Sequence, residues 1–442
     1  MKRLLMIGVI AVGGMFLGVG RGASVPGQAI SSSPFNFTNT PLLFAAGSAE
    51  PAIAIGRDGT TVVSALDAGP TLNDFGTLIW RGSWTSTPTF QGAIDSDVEG
   101  GGRGGDDADV DLASTGTLHV TSLVVFFNPV THVKQLGVAA FTCPNADTSA
   151  NFAHCARQII DTTGTDRPNV TSDGARTYIA YRDASDSSLI RIVRSDDDGY
   201  TWHQVGNPVV GQGSTTGAST FNNFPGPVVA DPSTHDVFLV YIGGSQAAKK
   251  GQNFVYNNVW VARSTDLGRT WTTTLVFSGQ ADLFNRFPAL AVDPTNSKLY
   301  AAWSDGQAVS ASVSRNHGVS WSAPFSVSAR PAKTAVFPFV AAYNGVADFV
   351  YYGTTGSGQN DPSAVWYPYI AQTKDDGSTL TQDVISDHSI RVGTLSRSLF
   401  ADLFEIAINP QNGRAGVAYT DATLTTTASG EPQPQTVLAR QR

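Results

Sequence analysis

The sequence predicts an all-β fold, a β-propeller of four-stranded antiparallel blades, seven in number with six as the second count. Three observations carry this. The composition is turn-rich and sparsely charged, with 45 glycines and 14% charged residues in 442, and no amphipathic helical period follows the N-terminal region. A hairpin-like unit recurs seven times along the chain, and a short turn motif recurs four times. Self-similarity at a spacing of roughly 50 to 65 residues is the signature of a repeat architecture, and four short antiparallel strands per repeat make a propeller blade.

The N-terminus reads as a secretory signal peptide over residues 1–29. Lys2 and Arg3 give it a basic start, Leu4 to Gly20 an apolar stretch, and Ala23 or Gly27-x-Ala29 a small-residue cleavage site. The apolar stretch is shorter than the ~20 residues a membrane span needs, and no later segment has that character. The mature chain, 30–442, is then a single secreted or periplasmic domain, since no Pro/Gly linker divides it.

The seven units run Pro51–Asp67, Ala108–Val124, Arg167–Asp183, Gly226–Gly243, Phe287–Asp305, Phe337–Gly353 and Asp402–Asp421. Each reads as a short apolar strand, a turn, and a second strand. A third and a fourth strand follow, near Ser188–Ser195 and His203–Val210 in the third unit. The last unit runs out after three strands at "TVLARQR". The early segment Ser33–Ala45, "SPFNFTNTPLLFA", is the candidate to supply the missing strand and close the ring.

The turn motif lies between the expected third and fourth strands. Its copies are "RSDDDGYTW" (Arg194–Trp202), "RSTDLGRTW" (Arg263–Trp271), "VSRNHGVSW" (Val313–Trp321) and "QTKDDGSTL" (Gln372–Leu380). Shared positions are Asp197, Gly199 and Trp202, then Asp266, Gly268 and Trp271, then Asn316, Gly318 and Trp321, then Asp375 and Gly377. An Asp side chain can accept hydrogen bonds from the backbone of the turn after it. Glycine supplies a positive φ without steric cost, and the Trp can pack between sheets.

The formal net charge of −8 and the lack of a basic cluster exclude nucleic acid as a partner. The two cysteines, Cys143 and Cys155, bracket a short loop. In an exported chain a disulfide is their simplest use, stabilising by about 3 kcal/mol in the chain-entropy model; the other use is a metal pair with His154. The segment Asp95–Asp111 concentrates carboxylates among glycines. Asp107, Asp109 and Asp111 alternate and so share one strand face. This suits either a hard cation such as Ca²⁺ or a solvated acidic loop partly offset by Arg103.

The turn motif resembles the Asp box, or BNR repeat, of the sialidase (neuraminidase) superfamily: Ser/Thr-x-Asp-x-Gly-x-Thr-Trp/Phe. Two copies match fully and two are degenerate. The resemblance implies a sialidase-like propeller with a glycan or glycoconjugate ligand, no required cofactor, and exo-α-sialidase activity. Such enzymes hold a substrate carboxylate with three arginines, attack with a tyrosine beside a glutamate, and use an aspartate as acid/base. By place in the repeat, the candidates are Arg167, Arg182 and Arg286, then Tyr352, then Asp67. The family's Phe/Tyr-Arg-Ile-Pro signature is replaced by "SAEPAIAI", with Glu50 in the arginine's place, and Glu50, Glu99, Glu405 and Glu431 are the chain's four glutamates. None lies in a middle blade. A non-catalytic propeller that binds glycans or proteins outside the cytoplasm is therefore the second reading.

Overall fold

The computed structural model describes residues 30–31, 35–67, 76–96, 103–127, 134–186, 188–209, 223–244, 255–284, 286–395 and 403–442. The expected signal peptide and Asp402 lie outside these.

Among the described residues seven antiparallel sheets follow one another along the chain. Their innermost strands are Ser48–Ile55, Arg103–Leu112, Thr165–Asp173, Asn223–Ala230, Ala289–Val292, Thr334–Tyr343 and Glu405–Asn409, here blades 1 to 7. Each innermost strand touches the next, and that of blade 7 touches that of blade 1, so the sheets close into a ring around an axis. This is the seven-bladed propeller. Among the described residues helix is confined to one short turn after Cys143 and to Ser149–Phe152.

Closure follows the sequence expectation. Blade 7 takes its inner three strands from the C-terminal end and its outermost from Phe37–Ala46, which pairs antiparallel with Pro432–Gln441. Joining the two ends of the chain in one sheet removes the open edge between the first and last blades. Blade 6 carries two further short strands, Ile30–Ser31 and Arg391–Val392. In blade 3 the fourth strand is only His203–Gln204, shorter than expected.

The core is divided as the architecture requires. Seven buried apolar clusters each span one blade-to-blade interface. Aromatic residues such as Trp80, Trp303, Tyr351 and Phe349 fill these wedges completely. The tryptophans of the turn motif join them: Trp271 lies between blades 3 and 4, Trp202 between 2 and 3, and Trp321 between 4 and 5.

The recurring turns connect third to fourth strands, on the same face as the turns between first and second strands. In blade 3, Asp197 accepts from Thr201 N (2.7 Å), Thr201 Oγ1 (2.7 Å) and Ser195 Oγ (2.7 Å), and Ser195 Oγ takes Gly199 N (2.8 Å). Asp266 and Asp375 repeat this set. Asn316 keeps the backbone bond from Ser320 N (2.9 Å) and donates to Ser320 Oγ instead of accepting. Each turn needs two successive positive φ angles, 60° at Asp198 and 89° at Gly199 in blade 3, so the glycine relieves the second.

The triple aspartate of blade 3 divides its work. Asp196 pairs with Arg194 in its own blade (2.7 Å), Asp197 closes the turn, and Asp198 reaches blade 2, bonding Thr115, Thr117 and His119. Asp376 of blade 6 similarly binds Lys298, Tyr300 and Arg315 of blade 5. Blade 2 lacks the motif, and there the Cys143–Cys155 disulfide spans the corresponding connection. The expected disulfide is thus present, and it staples the one third-to-fourth-strand connection in which a twelve-residue step replaces the tight turn.

Candidate functional site

The axis of the ring is a channel lined by one apolar residue from each innermost strand: Ile53, Val110, Val170, Val228, Leu290, Val340 and Ile406. Its two ends differ. The end away from the recurring turns is here called the mouth.

At the mouth the innermost strands are broken by β-bulges. Register shifts occur between Ala49 and Ala52, Gly104 and Ala108, Asp166 and Asn169, Pro225 and Val228, and Val336 and Phe339. Glu50, Arg167 and Phe337 adopt positive φ there (49°, 54° and 55°), each directly before a proline. A left-handed conformation disfavours residues with a Cβ, and bulges re-aim side chains. The chain accepts this strain where it directs side chains toward the axis.

The re-aimed side chains form two halves. Blades 1 to 3 contribute Glu50, Asp107, Asp166, Arg167 and Arg182. Blades 4 to 7 contribute Phe224, Phe287, Phe337 and Phe404; Tyr256 and the exposed Phe284 stack on each other (5.3 Å) and meet Phe224 edge-on, at 5.8 and 5.5 Å. The halves meet through cation–π contacts. The Arg167 guanidinium lies 3.2 Å from the Phe287 centroid, and that of Arg182 lies 4.0 Å from Phe224.

Asp166 is the electrostatic centre of the polar half. It faces Arg182 (3.6 Å) and is hydrogen-bonded to the Asp107 carboxyl. Burial pushes its pKa up to about 6 and the Asp107 charge adds to this, while Arg167 and Arg182 pull the other way. A carboxyl with a pKa near 6 beside two guanidinium groups can donate or accept a proton close to neutral pH.

The expected site residues are distributed as follows. Arg167 and Arg182 come together at Asp166. Arg286 belongs to a separate arrangement, donating to Gln359 Oε1 (3.1 Å) and the Asp282 carbonyl (2.8 Å). Tyr352 is completely buried between blades 6 and 7. Its ring stacks on Phe404 at 4.1 Å, its hydroxyl accepts from Thr420 N (3.0 Å), and burial raises its pKa. A phenol so enclosed meets no ligand in this conformation. Asp67 ends the second strand of blade 1 on the mouth face, half-buried.

Asp107, Asp109 and Asp111 do share one face, as their alternation requires, and that face meets blade 3. Asp107 accepts from Arg167 N (3.2 Å), Asp109 from Val170 N (2.8 Å), and Asp111 from Ser172 Oγ. The row is an inter-blade ladder, and no group of three His, Cys, Asp or Glu side chains suited to a metal occurs among the described residues.

Sequence reasoning missed Asp166, the phenylalanine half and Glu405. A signal for the phenylalanines was present: Phe224, Phe287 and Phe337 each precede a proline at the start of an innermost strand, as do Glu50 and Arg167.

No protein-family model matches the chain, and no curated protein does. Solved structures do. An ulvan lyase, described as a new family of polysaccharide lyase, superposes with a TM-score of 0.55 at 13% identity over 90% of this chain and 95% of that one. The same kind of lyase bound to a GlcA(1-4)Rha3S unit gives 0.55 at 12% identity, again over 90% and 95%. An α-L-arabinanase of Penicillium chrysogenum, complexed with arabinobiose, gives 0.49 at 10% over 90% and 98%. The likeness is one of fold. At these identities it establishes the propeller and leaves the chemistry to the residues of this chain.

Proposed function

We propose that this protein is an extracytoplasmic, glycan-directed propeller that takes a carboxylate-bearing saccharide at the bulged mouth of its channel, with release of terminal sialic acid as the particular reaction. The observation that carries the reading is the convergence of Arg167, Arg182, Asp166 and Asp107 opposite a set of phenylalanine faces. Arginine binds a sugar carboxylate bidentately. Aromatic rings receive the apolar face of a pyranose. Asp166, half-protonated near pH 6, is placed to protonate a leaving oxygen. The resemblance of the turn motif to the Asp box supports the sialic acid form, and the disulfide fits an oxidising compartment outside the cytoplasm.

The second reading, a non-catalytic glycan binder, draws on Tyr352. With that hydroxyl buried, the phenol expected from the Asp-box resemblance is out of reach of a sugar, and the reading is recognition alone.

The test is turnover of a fluorogenic sialoside and a matched uronide by the mature protein, alongside saturation-transfer NMR with the free sugars. Release that falls at least about 100-fold in Asp166→Asn supports the enzymatic form. Binding without release, lost in Arg182→Ala, supports the binder. Neither release nor binding of any acidic sugar overturns both.

A further inference from the structure

The channel has a second, separate compartment. Between the mouth and the turn face the Arg167–Phe287 contact narrows the axis to a void of about 10 Å³, bordered by Phe337, Phe404 and Glu405. Beyond it the channel widens to a cavity of about 780 Å³ open toward the recurring turns. That volume lies in the range of small-molecule sites. Its wall is the apolar ring of the innermost strands, and its outer rim carries prolines and one charged side chain, Arg57.

Its narrow end is different in kind. Asp109 and Glu405, from the two blades flanking blade 1, both line it. Glu405 is 7% exposed. Its Oε2 accepts from Ile53 N (3.1 Å), while Oε1 has no partner among the described residues. Burial, reinforced by the Asp109 charge, holds the Glu405 carboxyl well above the usual range, and burial raises Asp109 too. Two carboxyls at the closed end of an apolar funnel, one with an unused oxygen, are kept from ionising by burial and would gain from a cation placed between them.

We propose that this cavity is a binding site for a small amphiphilic amine, its apolar body along the inner-strand ring and its ammonium between Glu405 and Asp109. The apolar wall gains from removing a hydrocarbon chain from water. The ammonium supplies up to three donors, and its charge favours the ionised form of the carboxyls that burial disfavours. A carboxylate-headed amphiphile of the same length meets like charge at the same point. The site is independent of the saccharide mouth, so either assignment can fail alone.

The experiment is calorimetric titration of the mature protein at about pH 8, on the alkaline side of the usual carboxylate range, with octylammonium, octanol and octanoate. The expected result is saturable binding of octylammonium, with octanol and octanoate at least about tenfold weaker. Glu405→Gln and Asp109→Asn each keep an oxygen for the backbone N–H and should each weaken octylammonium about tenfold. Should Glu405→Gln fail to fold, Asp109→Asn alone carries the test. Equal affinity for octanol, unchanged affinity in the folded variants, or no binding overturns the proposal.

Discussion

The two faces of the ring are built on opposite plans. On the turn face the same backbone hydrogen bond is repeated in blades 3 to 6, with a carboxylate or amide closing each turn on its own backbone. At the mouth the position opening each innermost strand changes chemistry from blade to blade: glutamate, aspartate and arginine in the first three, phenylalanine in the later ones. What repeats is architecture, because each blade must solve the same closure problem. What fails to repeat has been released from that problem and is free to make a site. The comparison also separates two uses of aspartate. Asp197 serves a local turn in solvent, while Asp95, Asp109 and Asp166 are held inside contacts between blades.

The largest effect should come from the mouth side. Asp95 is completely buried between blades 1 and 2, where it accepts from Thr77 N (2.6 Å), Thr77 Oγ1 (2.8 Å) and Ser122 Oγ (2.5 Å). Asp95→Ala strands these donors and should cost about 3 kcal/mol or more in a urea melt. Gly104→Ala should be as severe, since a Cβ there would fall on the Asp95 carboxylate. A cost under about 1 kcal/mol for either would mean that the mouth-side contacts are no more demanding than an exposed turn.

The turns should be individually cheaper. Asp197→Ala, Asp266→Ala and Asp375→Ala each remove a cap-like set of bonds at the surface, and each should cost about 1 kcal/mol, alike within a few tenths. Equality is the sharper part of the prediction, because it follows from repetition. Asn316→Asp should give the Ser320 hydroxyl the acceptor that Thr201, Thr270 and Thr379 find in the other blades, raising stability by a few tenths of a kcal/mol in the same melt. A loss there would show that blade 5 has adapted its turn to the amide.

The legibility of the sequence follows the same division. Seven units, ring closure by Phe37–Ala46 and the Cys143–Cys155 bridge could be read because each rests on local spacing. The Asp107–Asp109–Asp111 row could be read as one face, but its partner could not: Val170 N and Ser172 lie about sixty residues away, and only the packing of blade 3 on blade 2 reveals that the carboxylates answer backbone donors. Arg167 and Phe287 meet across the axis from blades 3 and 5, a contact no periodicity encodes. The burial of Tyr352 turns on how closely blades 6 and 7 pack, which is equally invisible along the chain.

The smallest expected effect is one of pH. His388, on the mouth side after the fourth strand of blade 6, faces the buried Asp421 of blade 7 through Nε2 (2.8 Å) and pairs through Nδ1 with Asp387 (2.6 Å). Burial opposes its protonation, but the bond to Asp387 and the charges of Asp421 and Asp387 win, and its pKa is raised above 6.5. A histidine with a raised folded pKa stabilises fully below its unfolded value, and that contribution is lost as pH rises through the folded one. Stability from this clasp should therefore be fully present well below pH 6.5 and fade as pH rises past that value. His388 is partly exposed, so solvent screening limits the difference to a few tenths of a kcal/mol. His388→Gln should remove that part of the pH slope while leaving the turn-face variants unaffected. A slope of the opposite sign that vanishes in His388→Gln would mean that burial outweighs the two carboxylates, and that the blade 6–7 contact at the mouth is held by packing around Tyr352 and Phe404 alone.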